Sequence, residues 1–253
     1  MLTILLSNDD GYESLGLQEL KKALEPHAKV YVVAPDRERS AVSHKITLTH
    51  PIRITRVGDR EYVTDASPAD CVKVAFLKII PEKIDLVVSG INYGANMGID
   101  VFYSGTVAVA REGVMKGVPG IAFSLNSYHR NINFKPAAHA AAQIVNQMQP
   151  YLEAGKLFNV NFPSEAPYKG VKFTRLGFRV YKEKLIEQKD PMGMSYYWIG
   201  GDLPTHHPRS GSDFEAIQDN YISVTPLTLD ISDYRSLTDL KDAESNVSIE
   251  NLE

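Results

Sequence analysis

Along the first 125 or so positions, apolar residues fall into short unbroken runs, and the stretches between them carry apolar residues three or four apart. The runs at residues 3–7, 29–34, 85–89 and 120–124 are rich in Val, Ile and Leu and read as strands covered on both faces. Between the first two, Leu17, Leu20 and Leu24 recur at helical spacing. Ser67-Pro68-Ala69-Asp70 has the form of a helix start, with Ser as cap, Pro at the first helical position and Asp in the first turn. The stripe Cys71, Val72, Ala75, Phe76, Ile79, Ile80 that follows reads as core. Residues 51–64 alternate apolar and polar (Ile52, Ile54, Tyr62, Thr64) and predict an inserted hairpin. An Ala-rich helix over 136–152 and a strand over 157–160 complete the alternation, which predicts an α/β fold with a mainly parallel, doubly wound sheet.

Beyond about residue 161 the character changes. Gly and Pro spacers separate aromatic strands at 171–178 and 196–199 and a segment at 221–229, which read as antiparallel extensions. From about residue 239 the chain is acidic and polar with little structural signal. The expected organisation is a core over about 1–160, a carboxy-terminal arm over about 161–238 and a tail over about 239–253.

Composition narrows the function classes. The 253 residues carry 27 basic and 31 acidic side chains, a net charge of −4, with no block of like charge. Nucleic-acid polymers and anionic membranes are therefore not expected as partners. A single cysteine, Cys71, excludes an intrachain disulfide and a thiolate metal cluster. No apolar run approaches the length of roughly 18 residues needed for a membrane span, and the initial run is short and lacks preceding basic residues. A cytoplasmic protein is the expectation.

The candidate chemistry lies just after the runs. Asn8-Asp9-Asp10-Gly11 follows the first, placing adjacent carboxylates at a strand's carboxyl end, where ligands of open α/β sheets bind. Pro35 to Ser40, continuing through Ser43 and His44, follows the second, and Ser89 to Gly98 follows the third. Tyr103-Ser104-Gly105-Thr106 then opens a helical stretch over 107–116. Loops after successive parallel strands share one edge, so Asp9, Asp10, Ser40, Asn92 and Ser104 can converge. Their carboxylate, hydroxyl and amide oxygens suit a hard divalent cation. The Ser104–Thr106 helix start suits a phosphate. Two like charges 4 Å apart repel by about 1 kcal/mol in water and about 4 at an effective dielectric of 20, so phosphate beside two carboxylates calls for a cation between them. Such an ion also polarises a phosphoryl oxygen and lowers the pKa of nearby water. Metal-assisted phosphate-ester hydrolysis is the function this constellation suggests. The glycines match neither the dinucleotide nor the P-loop pattern. His44 is the histidine best placed for acid–base work, and Ser43 beside it is a further substrate-side candidate. Arg37 and Arg39 read as solvated, and His206-His207 as half a metal site without a third ligand.

Taken together, Ser7 to Gly11, Ala34 to Ser40, Ser67 to Val72, Val88 to Asn96, Asp100 to Thr106, Gly211 to Phe214 and Ser223 to Leu227 resemble the SurE family of metal-dependent 5'/3'-nucleotidases. That resemblance implies a Rossmann-like core and one divalent ion, Mg²⁺ or Mn²⁺ with Ca²⁺ as a third candidate, held by Asp9, Asp10, Ser40 and Asn92. It also implies that Asn96, Ser104, Gly105 and Thr106 hold the phosphate. By the same resemblance the substrates are nucleoside 5'- and 3'-monophosphates, with short polyphosphate as an extra. The assembly implied is a homodimer or homotetramer with exchanged carboxy-terminal arms. Tyr12, Glu13 and Lys45 depart from the family's commoner residues and bear on access rather than on the ligands. Two alternatives stand beside this reading. One is a phosphatase working through an aspartyl-phosphate, whose usual signature is Asp-x-Asp rather than adjacent aspartates. The other is a non-catalytic nucleotide- or metal-binding module.

Overall fold

A computed structural model describes residues 1–129, 132–241 and 243–244. Each early apolar run becomes an inner strand: β1 (Leu2–Ser7), β2 (Ala28–Pro35), β5 (Leu86–Tyr93) and β6 (Gly120–Leu125), with β3 (Ile54–Gly58) and β4 (Glu61–Thr64) forming the inserted hairpin. The helices between them are α1 (Leu15–Leu24), α2 (Pro68–Val74), α3 (Gly105–Met115) and α4 (Lys135–Met148). They are followed by β7 (Leu157–Phe162), β8 (Val171–Phe173), β9 (Phe178–Lys189), β10 (Ser195–His207), α5 (Asp213–Gln218), β11 (Ile222–Leu227) and α6 (Tyr234–Lys241). One sheet runs β3-β4-β2-β1-β5-β6-β7-β11-β8. It is parallel from β4 through β7, and antiparallel at the β3–β4 and β7–β11 pairs.

Alternation along β1 distributes the core. Ile4 and Leu6 pack with Leu17 and Leu20 of α1 and with Ala137 and Ala141 of α4. Leu5, pointing the other way, packs with Cys71 and Val72 of α2 and Val109 of α3. Fully burying one such Leu is worth roughly 1.5–3 kcal/mol, so both helix layers are held by the same strands. Cys71 belongs to this core, and burial pushes its thiol up to about 12. The start of α2 matches its sequence signature: Asp70 N donates to Ser67 Oγ and Ser67 N to Asp70 Oδ2, each at 3.3 Å.

Several elements differ from expectation. β5 runs on to Tyr93, so Asn92 sits at the end of a strand rather than in a loop. Its pairing with β6 shifts register between Ser89 and Asn92. Gly90, at φ +118°, permits this, because a Cβ there would lie 2.2 Å from the Phe123 carbonyl oxygen. Helix α4 stops at Met148 and tightens into a 3-10 turn over Gln149–Tyr151, where Pro150 has no N–H to continue it. Helix α5 carried no clear sequence signal. Of the expected carboxy-terminal arm, β8 and β11 rejoin the main sheet, whereas among the described residues β9 and β10 pair only with each other, as a long hairpin. The polar tail contributes its first residues to the end of α6 and otherwise lies largely outside the described residues. Among the described residues no helix is long and apolar enough to cross a membrane.

Candidate active site

The turn after β1 is built by short-range bonds. Buried Asn8 donates through Nδ2 to Gly11 O at 2.9 Å and to Ser14 Oγ at 2.7 Å. The next loop docks on that turn by Arg39 N to Asp9 O at 2.7 Å and Tyr12 N to Pro35 O at 2.9 Å. Gly11, at φ +94°, lets the two backbones touch, since a Cβ would lie 3.0 Å from Arg37 C.

Asp9 is buried against the start of α3. Its carboxylate accepts from the Thr106 hydroxyl, and the backbone N–H groups of Gly105 and Thr106 favour its ionised form. The anion already at this helix start is thus Asp9, where the sequence suggested N–H groups free for phosphate. The Thr106 hydroxyl also lies 3.1 Å from Asn92 Oδ1, which places it between the two proposed ligands and away from solvent. Asp10 Oδ2 accepts from Tyr93 N at 3.0 Å. Ser40 Oγ donates to Glu38 Oε1 at 2.7 Å. Ser104 Oγ caps α3 by accepting from Val107 N at 3.0 Å, which leaves its own O–H to donate elsewhere.

Asp9, Ser40, Asn92, Asn96 and Ser104 line one depression of about 400 Å³. Asp10 lines a second beside it, and Glu38, Ser40 and Tyr93 are common to both. Asn96 is gripped from β7: its N–H donates to Asn161 Oδ1 at 2.9 Å, and its carbonyl accepts from Asn159 at 2.8 Å and Asn161 at 3.0 Å. No Lys or Arg side chain lines either depression among the described residues, while Asp9, Asp10, Glu38 and Asp100 do. Burial pushes the Asp9 carboxyl up to about 6 against the hydrogen bonds it accepts. Burial, and then the neighbouring Asp9, push Asp10 up to about 7.

This donor set fits a hard divalent ion. Two carboxylates, a hydroxyl and an amide carbonyl are all oxygen ligands, and no Lys or Arg among the described residues lines the depressions that hold them. Among the described residues no group of three or more His, Cys, Asp or Glu side chains is arranged for a metal. An ion here would therefore rest on two charged ligands and neutral oxygens.

Two expected substrate-side residues are elsewhere. His44 Nε2 lies 2.8 Å from Glu112 Oε2, and Glu112, buried in α3, also takes Lys73 Nζ at 2.7 Å. Ser43 donates through N to Tyr103 O at 2.9 Å and through Oγ to Phe102 O at 2.6 Å. Both residues fasten the 36–53 connection onto α3 and the turn before it, and neither lines the depression. His44 instead gives the buried Glu112 carboxylate one of the hydrogen-bond partners it needs. Arg39 bonds Asp36 and the Asp65 carbonyl, and His206 stacks on Phe214 at 4.7 Å, so neither enters the site.

The sequence reading missed Glu38, Asp100, Asn159 and Asn161. The pair of asparagines was detectable, as fully buried amides inside the apolar run of β7.

Gly105→Ala tests the packing of Asp9. The new Cβ would lie 2.8 Å from both Asp9 Cβ and Oδ2. Shifting that carboxylate by about 1 Å is expected to lower turnover roughly 100-fold, measured as phosphate release, without unfolding the chain in circular dichroism.

Known proteins share this arrangement of chain and fold. The family described as Survival protein SurE matches residues 4–183. A 5'-nucleotidase SurE of Myxococcus xanthus is 46% identical over 240 residues, 94% of this chain and 91% of that protein. One from Aeromonas hydrophila is 44% identical, over 94% and 97% of the two chains. The crystal structure of the SurE protein from Aquifex aeolicus superposes with a TM-score of 0.84 at 40% identity, covering 96% of this chain and 99% of that one.

Proposed function

The chain belongs to the SurE family, and from that premise we propose that it is a metal-dependent 5'-nucleotidase, converting nucleoside monophosphates to nucleoside and phosphate. The observation that carries this reading is the buried Asp9 carboxylate at a helix start with the Asp10 carboxylate in the adjoining depression, neither depression lined by a Lys or Arg side chain among the described residues. Asp9, Asp10, Ser40 and Asn92 would hold the ion, with Mg²⁺ or Mn²⁺ favoured by the all-oxygen set and Ca²⁺ as the third candidate. Once bound, it supplies positive charge and Lewis acidity to the phosphoryl oxygens and to nearby water.

The chain's own groups do the rest. The Thr106 hydroxyl orients Asp9 by donating its proton to that carboxylate, and Asn92 is oriented by its Nδ2 donating to Gly94 O at 2.8 Å. Tyr93 N–H holds Asp10. The Ser104 hydroxyl takes a phosphate oxygen, while Asn96 lines the same depression with its Nδ2 donating to Ser124 Oγ at 2.9 Å, and the α3 dipole favours negative charge there. Asp9 and Asp10 orient the attacking water. Glu38 is an acidic neighbour that would repel further phosphates. This supports monoesters as substrates over polyphosphate, and both 5'- and 3'-monophosphates remain within the proposal.

Assembly and location belong to the same proposal. The hairpin β9–β10 carries exposed Leu185, Trp198 and Ile199, and α6 has no buried residue, which supports a homodimer or homotetramer with exchanged carboxy-terminal segments. A single buried cysteine supports the cytoplasm.

A phosphate-release panel with nucleoside 5'- and 3'-monophosphates and polyphosphate, in Mg²⁺, Mn²⁺, Ca²⁺ or EDTA, tests the reading. Release from monophosphates in Mg²⁺ or Mn²⁺ and none in EDTA is expected. Undiminished release in EDTA would reject it.

A further inference from the structure

A second cavity, of about 730 Å³, shares the turn Gly98–Phe102 with the acidic depression: Asp100 lines the depression, whereas Val101 and Phe102 line the cavity. That volume suits a small organic molecule. Its charge is opposite to that of the depression. Arg111 of α3, Arg175 after β8 and Arg209 after β10 all line it, and among the described residues no Asp or Glu does. The rest of the wall is largely apolar and includes Val101, Met115, Leu176 and Leu227.

The three guanidiniums are tethered but not neutralised. Arg111 Nη2 donates to Val101 O at 3.3 Å, and Arg209 Nη1 to Leu176 O at 3.3 Å. Arg175 donates to Ser210 O through Nε at 2.9 Å and also through Nη2. A guanidinium has five N–H donors, so most of them are left for a ligand. The ion pairs of arginine among the described residues involve Arg37, Arg39, Arg53, Arg56, Arg60 and Arg179, and none involves the three in the cavity. Arg111 is half-buried, and burial pushes its guanidinium down from the ordinary value with no carboxylate to oppose the shift. A charge taken partly out of water without a partner destabilises the fold until an anion supplies one.

We propose that this cavity binds a phosphate monoester carrying an aromatic or other apolar body, at a site separate from the acidic depression. It does not depend on hydrolysis at Asp9 and Asp10. Guanidinium forks take phosphate oxygens two at a time, through charge-assisted bonds roughly twice as strong as neutral ones. Three positive charges match a phosphate dianion with three terminal oxygens better than they match a monocarboxylate. The apolar wall covers the body, and burying it adds affinity that inorganic phosphate cannot gain. No metal is required, because the arginines supply the positive charge.

Phenylphosphonate, which has no ester bond to hydrolyse, is the probe. Calorimetric titration of the full chain in Mg²⁺ and again in EDTA is expected to show a binding site that persists in EDTA, where the acidic depression has no cation to attract an anion. Inorganic phosphate and benzoate are each expected to bind there roughly tenfold more weakly. Arg111→Met keeps the packing and removes the charge, and it is expected to weaken phenylphosphonate about tenfold. Arg209→Ala, at an exposed position, is expected to weaken it by about the same factor. In EDTA, phenylphosphonate is expected to raise the Tm of the unsubstituted chain and to raise that of Arg111→Met less. Binding that vanishes in EDTA, unchanged affinity in both arginine variants, or benzoate as tight as phenylphosphonate would overturn the proposal.

Discussion

Asp10→Asn and Asp9→Asn are each expected to lower phosphate release at least ~10³-fold, a loss of about 4 kcal/mol of transition-state stabilisation, while making the metal-free protein more stable. Both carboxyls are raised by burial in a site without a cationic side chain, so at pH 8 each ionised group opposes folding until an ion binds. An amide removes that charge and keeps a carbonyl oxygen to accept from Thr106 or from Tyr93 N. Removing one such charge is expected to add about 1–2 kcal/mol, or roughly 2–8 °C in Tm for a chain of this size. Melting in EDTA at pH 8, compared with turnover in Mg²⁺, measures both. Loss of stability together with activity would mark the aspartates as structural groups instead.

Proton linkage supplies the second large effect. With folded values of about 6 for Asp9 and about 7 for Asp10, both above the ordinary 3.8, the metal-free native state binds more protons than the unfolded chain between about pH 4 and 7. Its stability is therefore greatest at the acid end of that window and declines as pH rises through 6 and 7. A divalent ion needs both carboxylates ionised, so binding at lower pH must displace protons. Divalent-ion affinity is expected to fall about 100-fold between pH 8 and pH 5.5. Calorimetry in buffers of different ionisation enthalpy would count the protons released. An affinity that is flat across this range would remove Asp9 and Asp10 as ligands.

The parts of the fold that were legible from the chain are those where local chemistry and burial agree. Leu2–Ser7 is mainly apolar and lies inside the sheet, and Ser67-Pro68-Ala69-Asp70 starts a helix with both bonds of its capping box. Where the signals parted, the reading fell short. Strands β9 and β10 are mostly exposed, so burial imposed little two-residue alternation on them and only a fragment at 196–199 was visible. Ser43 and His44 sit within a few residues of Ser40, yet Glu112, 68 residues on from His44, decides where that imidazole goes.

The sequence by itself determined the strand-and-helix alternation, the oxygen-donor chemistry at the strand ends and the resemblance that joined them. Residue types and short spacings carry those properties. Tertiary structure alone decided that Asp9 would occupy the start of α3, that Asn159 and Asn161 would grip Asn96, and that Tyr181 would reach the depression from the hairpin. Each of these contacts joins residues more than 60 positions apart. Their partners are chosen by sheet order and by the energetic cost of leaving buried polar groups unpaired, which no local pattern encodes.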